Sequence, residues 1–254
     1  MAEHGPETPL FIGWSNKPAG ATLRFMAIVA VAMLFGAAAL GFMTGVAAPD
    51  PGNGDYRFPE VTLTGIVQAK PMPILRLPAA GERKAPHAIM LSAEGTNGAE
   101  NAVASFDGQR VEIYGLLIKR GDIDMLEIAD GGIKAADAPG QGDATLAAPV
   151  PLGRWRITGE ICDGKCYTGA MRPGSGLAHK ACAGICFVGG VPAIFVSTGP
   201  VEGQSFMVMV DEKSGTFVDA FRDLAALRIA IEGALERVDD LLIFRADPAT
   251  AKVR

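Results

Sequence analysis

The chain has 254 residues, 49% hydrophobic and 20% charged, with a net charge of −5. Such a composition builds one large or two small globular domains and excludes a disordered chain. With no basic block and only 7% aromatic residues, the chain lacks the phosphate-tracking charge and the stacking surfaces of a nucleic-acid binder, so no nucleic-acid partner is expected.

Residues 1–24 are polar, broken by Pro6, Pro9 and Pro18, and read as a short cytoplasmic tail. Residues 25–48 carry no charge. A helix of that length, at about 1.5 Å per residue, is roughly 36 Å long and spans a hydrocarbon core of about 30 Å. Lys17 and Arg24 precede it while Asp50 and Asp55 follow, which by the positive-inside rule keeps the N-terminus in the cytoplasm. The expectation is a single pass through the inner membrane with everything C-terminal in the periplasm, the membrane itself being one partner. A signal peptide cleaved after Val46-Ala47-Ala48 is the competing reading, although the apolar region of such a peptide is usually about 7–15 residues long. Residues 49–58, which include Pro49, Pro51, Gly52 and Gly54, read as a stalk.

Two similar segments follow. The first (59–130) holds the apolar runs 61–67, 87–91, 110–117 and 125–130; the second (154–248) holds 155–161, 192–196, 228–235 and 241–247. Aligning Gly65 with Gly159, Ala88 with Ala193, Gly115 with Gly233 and Asp130 with Asp247 suggests an internal duplication. Apolar residues alternate at Val111, Ile113 and at Ile229, Ile231, as in half-buried antiparallel strands, and the glycines mark bends in a tightly coiled barrel. Turns are expected at 120–122 and 238–240, and a short helix before the last hairpin of each copy, near 101–106 and 216–224. The fold class is therefore mainly β: a transmembrane helix followed by two small OB-like barrels. Residues 131–153, rich in Ala, Pro and Gly, read as a semi-flexible linker. The acids Asp122, Asp124, Asp239 and Asp240 read as solvated turn residues.

Gly65 to Ala88 is 23 residues and Gly159 to Ala193 is 34, so this alignment gives the second copy 11 extra residues. All four cysteines, Cys162, Cys166, Cys182 and Cys186, lie in that interval, with His179. Three readings compete. Two disulfides would staple a glycine-rich excursion with little apolar content of its own. Alternatively, four soft ligands at Cys-x3-Cys and Cys-x3-Cys, with His179 as an imidazole alternative, would hold zinc or another transition metal, although zinc sites usually use x2 or x4 spacing. The third reading is a redox-active thiol pair, its thiolates favoured by Lys165, Arg172, His179 and Lys180 with only Asp163 opposing. His87, far from any cysteine in sequence, reads as structural.

The run Asp163-Gly164-Lys165-Cys166-Tyr167-Thr168-Gly169, with His179-Lys180-Ala181-Cys182-Ala183-Gly184-Ile185-Cys186 and then Gly189-Gly190-Val191-Pro192, resembles a poorly characterised group of exported bacterial proteins. They carry an Asp-x-Lys-Cys-aromatic-x-Gly start and a His-x-x-Cys-Ala-x-x-Cys end. The resemblance covers about 30 residues and implies that Cys166, His179, Cys182 and Cys186 act together. Cys162 lies outside that pattern and is the alternative ligand.

No nucleophile elbow, phosphate loop, zinc-protease motif or haem attachment site occurs, so no catalytic residue is assigned. A tethered chain without catalytic machinery suits an accessory or binding subunit beside another envelope protein, for example in a redox complex. The alternatives are a metal-dependent or thiol redox protein and a disulfide-stapled structural module.

Overall fold

The computed structural model describes residues 20–47, 54–55, 58–78, 86–136 and 147–254. The tail up to residue 19, most of the stalk and the middle of the linker (137–146) lie outside the described residues. Helix α1 (Gly20–Ala47, 28 residues) starts five residues earlier than the charge-free run, has no buried residue, and is long and apolar enough to cross a membrane. It is a membrane anchor or a signal sequence. Residues 51–254 form a separate compact unit.

That unit is mainly β. A two-residue strand β1 (Gly54–Asp55) edges a sheet formed by β2 (Glu60–Gln68), β3 (Ile74–Leu77), β4 (His87–Ser92), β5 (Arg110–Arg120) and β6 (Ile123–Ala135), with helix α2 (Glu100–Val103) between β4 and β5. The second sheet is a closed barrel of β7 (Val150–Asp163), β8 (Ala193–Val201), β9 (Gln204–Asp211), β10 (Ile229–Val238) and β11 (Leu241–Val253). Helix α3 (Lys180–Val188) lies between β7 and β8, and α4 (Asp219–Asp223) between β9 and β10. Pairing follows one scheme in both. The first strand pairs antiparallel with the second and fourth, the second with the third, the fourth with the fifth, and the third runs parallel to the fifth.

The pairing revises the sequence alignment. Ala88 is on the third strand of its sheet and Ala193 on the second of its own, so the two are not equivalent. Five residues (69–73) join the first strand to the second in the first sheet, whereas 29 (164–192) do so in the second. The cysteine-bearing connection thus exceeds that of the first sheet by more than the alignment suggested. The expected linker also shrinks, because β6 continues to Ala135 and β7 begins at Val150.

Glycine at the four bends is a matter of space. A Cβ at Gly65, Gly115, Gly159 or Gly233 would lie 2.6, 2.1, 2.1 or 2.2 Å from the carbonyl oxygen of Arg76, Glu127, Val196 or Arg245 on the neighbouring strand. Gly233→Ala is therefore expected to cost about 1–3 kcal/mol, the usual penalty of overpacking. Thermal unfolding checks this, and an unchanged Tm would mean that β10 shifts freely.

The strands bury both faces. On β4, Ile89 and Leu91 enter the first sheet's own core beside Val103 of α2, while Ala88 and Met90 face outward into a second apolar layer. On β9, Met207 and Met209 join the core of the closed barrel with Phe221 of α4, while Phe206, Val208 and Val210 meet the same outer layer. Met72, Ile74, Ile123 and Met125 of the first half and Ile194, Val238, Leu241 and Ile243 of the second complete this layer. It is a shared core, so the halves pack as one body instead of hanging from a flexible linker.

Polar groups at the seam correct a second expectation. Asp239, at φ 55° in the β10–β11 turn, takes a two-pronged bond from Arg76 of β3, Nε to Oδ2 at 2.7 Å and Nη2 to Oδ1 at 2.6 Å. The two side chains are only 2% and 4% exposed. Asp240 accepts from Ala88 N and meets His87 Nδ1, and Asp124 meets His87 Nε2 at 3.0 Å. Asp124, Asp239 and Asp240 are therefore seam residues and not solvated turn acids. His87 is structural, as expected.

Candidate metal centre

The insertion leaves β7 at Asp163 and is held from its first residues. The Asp163 carboxylate, fully buried, accepts from the backbone N–H of Cys166 at 2.8 Å and thereby sets the turn Cys166–Ala170. Its other oxygen lies 2.6 Å from His179 Nε2. Lys165, also buried, donates to the carbonyls of Ala93 and Gly95 at 2.8 and 2.6 Å and pairs with Glu127, all in the first half. The Arg120 guanidinium lies 4.3 Å above the Tyr167 ring and donates to the Tyr167 carbonyl. At the far end Gly98 N donates to the Gly189 carbonyl, where a Cβ on Gly189 would come within 1.9 Å of Thr96 O. The first half is thus the bed on which the cysteine segment lies.

Within this frame α3 presents Cys182 and Cys186 four residues apart, on one helix face. The equal spacing of Cys162 and Cys166 has a different result, because Cys162 is the last residue but one of β7 and Cys166 opens a turn. Cys166 and Cys186 are buried beside Val191, with Cys182 packed against them and partly exposed. The Cys166 and Cys182 sulfurs are 3.9 Å apart. Ligand atoms of Cys166, His179 and Cys182 lie within 4.8 Å of one another, as do those of Asp163, Cys166 and Cys186. This buried Cys/His/Asp group could hold a metal ion. No family model, curated protein or solved structure matches the chain.

Cys162 stands apart. It belongs to the shared apolar layer and its thiol donates to Glu160 at 3.2 Å. Burial, then the Glu160 charge, pushes that thiol well up. All four cysteines are free thiols. A two-disulfide staple is not the arrangement found, and the placement of Cys162 removes the fourth partner such a staple needs.

Three of the four cations expected to favour a redox thiolate are turned to other partners. Lys165 is turned to the first half, Lys180 donates to Asp223 O at 3.0 Å, and His179 is held by Asp163. Hydrogen bonding with Cys186, then burial, raises the Cys166 thiol, and burial raises Cys182, while the bond from Cys166 lowers Cys186.

Sequence reasoning missed the role of Asp163, which it read only as an opposing charge. The available signal was an aspartate three residues before a cysteine, the spacing at which a carboxylate caps the N–H groups of a following helical turn. Glu160, which accepts from Gly176 N as well as from Cys162, carried no signal at all.

Proposed function

We propose that the chain is a membrane-anchored, exported accessory subunit that holds one transition-metal ion at Cys166, Cys182, Cys186 and His179. The observation that carries the reading is His179: it is 2% exposed, its Nε2 is committed to Asp163, and its Nδ1 has no hydrogen-bond partner among the described residues. A buried orphan nitrogen is costly unless something takes its lone pair. A carboxylate bound to the opposite ring nitrogen is the usual way a ligating histidine is oriented. The 3.9 Å between the Cys166 and Cys182 sulfurs agrees, since metal–sulfur bonds of about 2.3 Å in a tetrahedron place sulfurs roughly 3.8 Å apart. Three soft thiols favour zinc, cuprous copper or an iron–sulfur centre over hard cations.

The pairing scheme shared by the two sheets, each with a helix between its third and fourth strands, supports OB-like barrels and an origin by duplication. On that reading the metal segment occupies the loop between the first two strands, where such barrels commonly bind ligands. Exposed Leu177, Ile185 and Val188 in the same segment support a protein partner in the envelope.

Metal content and free-thiol count of the full chain, purified in detergent without reductant or chelator, test the proposal. One ion per chain is expected, falling at least tenfold in His179→Ala and Cys182→Ser and unchanged in Cys162→Ser. An ion retained by both of the first two variants would overturn the site.

A further inference from the structure

We propose that, in the metal-free chain, Cys166 and Cys182 are a reversible dithiol/disulfide site, with Cys182 the entry thiol and Cys166 the resolving one. The inference uses thiols of the metal reading but stands on their geometry, and it holds even if no ion binds.

Exposure chooses the entry residue. Cys162, Cys166 and Cys186 are buried and only Cys182 is partly exposed, so an external disulfide reaches Cys182 first. Geometry then chooses the resolving residue. Cys186 shares a helix with Cys182 four residues on, where Cβ atoms are about 5–6 Å apart. A disulfide needs about 3.5–4.5 Å between its Cβ atoms, so the intrahelical bond is excluded. Cys162 lies in the shared apolar layer, bonded to Glu160. Cys166 remains, on a separate element, with its sulfur 3.9 Å from that of Cys182. Closing to a bond of about 2.05 Å takes a sulfur movement of roughly 2 Å.

The chemistry is thiol–disulfide exchange with a disulfide oxidant, R–S–S–R. Cys182, having lost its proton, attacks one oxidant sulfur and expels the first R–S⁻. Cys166 then loses its proton and attacks the Cys182 sulfur, expelling the second. The two cysteines give up two protons and two electrons, and the oxidant leaves as two R–SH. The same two sulfurs cannot be metal ligands and a disulfide at once, so ion and oxidant compete.

The test treats metal-free full chain in detergent with oxidised glutathione, alkylates the remaining thiols under denaturing conditions, and maps the linkages by mass spectrometry. A Cys166–Cys182 bond is expected, with Cys162 and Cys186 alkylated. Cys166→Ser is expected to stop at glutathione bound to Cys182, and Cys186→Ser to form the bond as wild type does. A linkage that includes Cys162 or Cys186, or four alkylated cysteines, would overturn the proposal. Stoichiometric zinc added before the oxidant is expected to slow the bond at least tenfold. If the bond forms at the same rate with zinc, the metal reading fails and the dithiol site stands.

Discussion

Arg76→Ala is expected to destabilise the folded unit by about 3–5 kcal/mol, the range for removing one partner of a buried ion pair. Both sides of the pair are almost fully covered, and Arg76 also donates to the carbonyl of Ala147 at 3.0 Å. The alanine would leave Asp239 charged, dry and without its fork of donors at the seam between the halves. Arg76→Met combined with Asp239→Asn is expected to recover most of the loss, because exchanging a whole buried pair for less polar groups costs little. Asparagine is the suitable replacement since the φ of 55° at this position is one it tolerates. Urea unfolding of the full chain measures both variants. A cost below about 1 kcal/mol for the single variant would mean that the seam opens and rehydrates Asp239.

The second large effect is on pH dependence. Burial opposes a charge on His87, but the hydrogen bonds it donates to Asp124 and Asp240, with their charges, outweigh it and raise its pKa from 6.5 to about 9. A folded-state pKa above the unfolded one adds stability that is complete below about pH 6.5 and disappears as pH rises through about 9. The shift corresponds to roughly 3 kcal/mol. His87→Gln, which stays neutral, should abolish the difference. Unfolding free energies at pH 6, 8 and 10 are compared as wild type minus variant, so that lysines and tyrosines titrating near pH 10 cancel. A difference that stays flat from pH 6 to 10 would show that His87 is neutral in the folded protein.

Legibility of the fold followed from where strands had one wet face and where they had none. Alternation at Val111, Ile113 and at Ile229, Ile231, and the four glycines under a neighbouring carbonyl, marked strands that the structure contains. Strand β3 escaped because Pro71 and Pro73 precede it and because it is only four residues long, with a charged Arg76 that is nonetheless buried. Strand β9 escaped because Phe206 to Val210 is an unbroken apolar run, with one face in its own barrel and the other in the shared layer. A strand buried on both faces has no period to read. Missing those two strands is also what shortened the apparent insertion.

At the candidate site, residue types were legible and their division was not. Cys-x3-Cys occurs twice, but only the second pair falls on a helix, where that spacing aligns side chains. Whether an acid in a turn is wet or buried depends on what the rest of the chain brings to it, and Asp239 and Asp240 meet Arg76 and His87 across more than 150 residues of sequence. No local pattern carries that information.

The shared layer also imposes an order of events on synthesis. Met72, Ile74, Met90 and Met125 lie in a part of the chain complete by Ala135, yet the groups that cover them extend to Ile243. At about 5–20 residues per second, the first half waits on the order of ten seconds for its cover. Throughout that interval it presents a methionine-rich apolar face to whatever surrounds the growing chain.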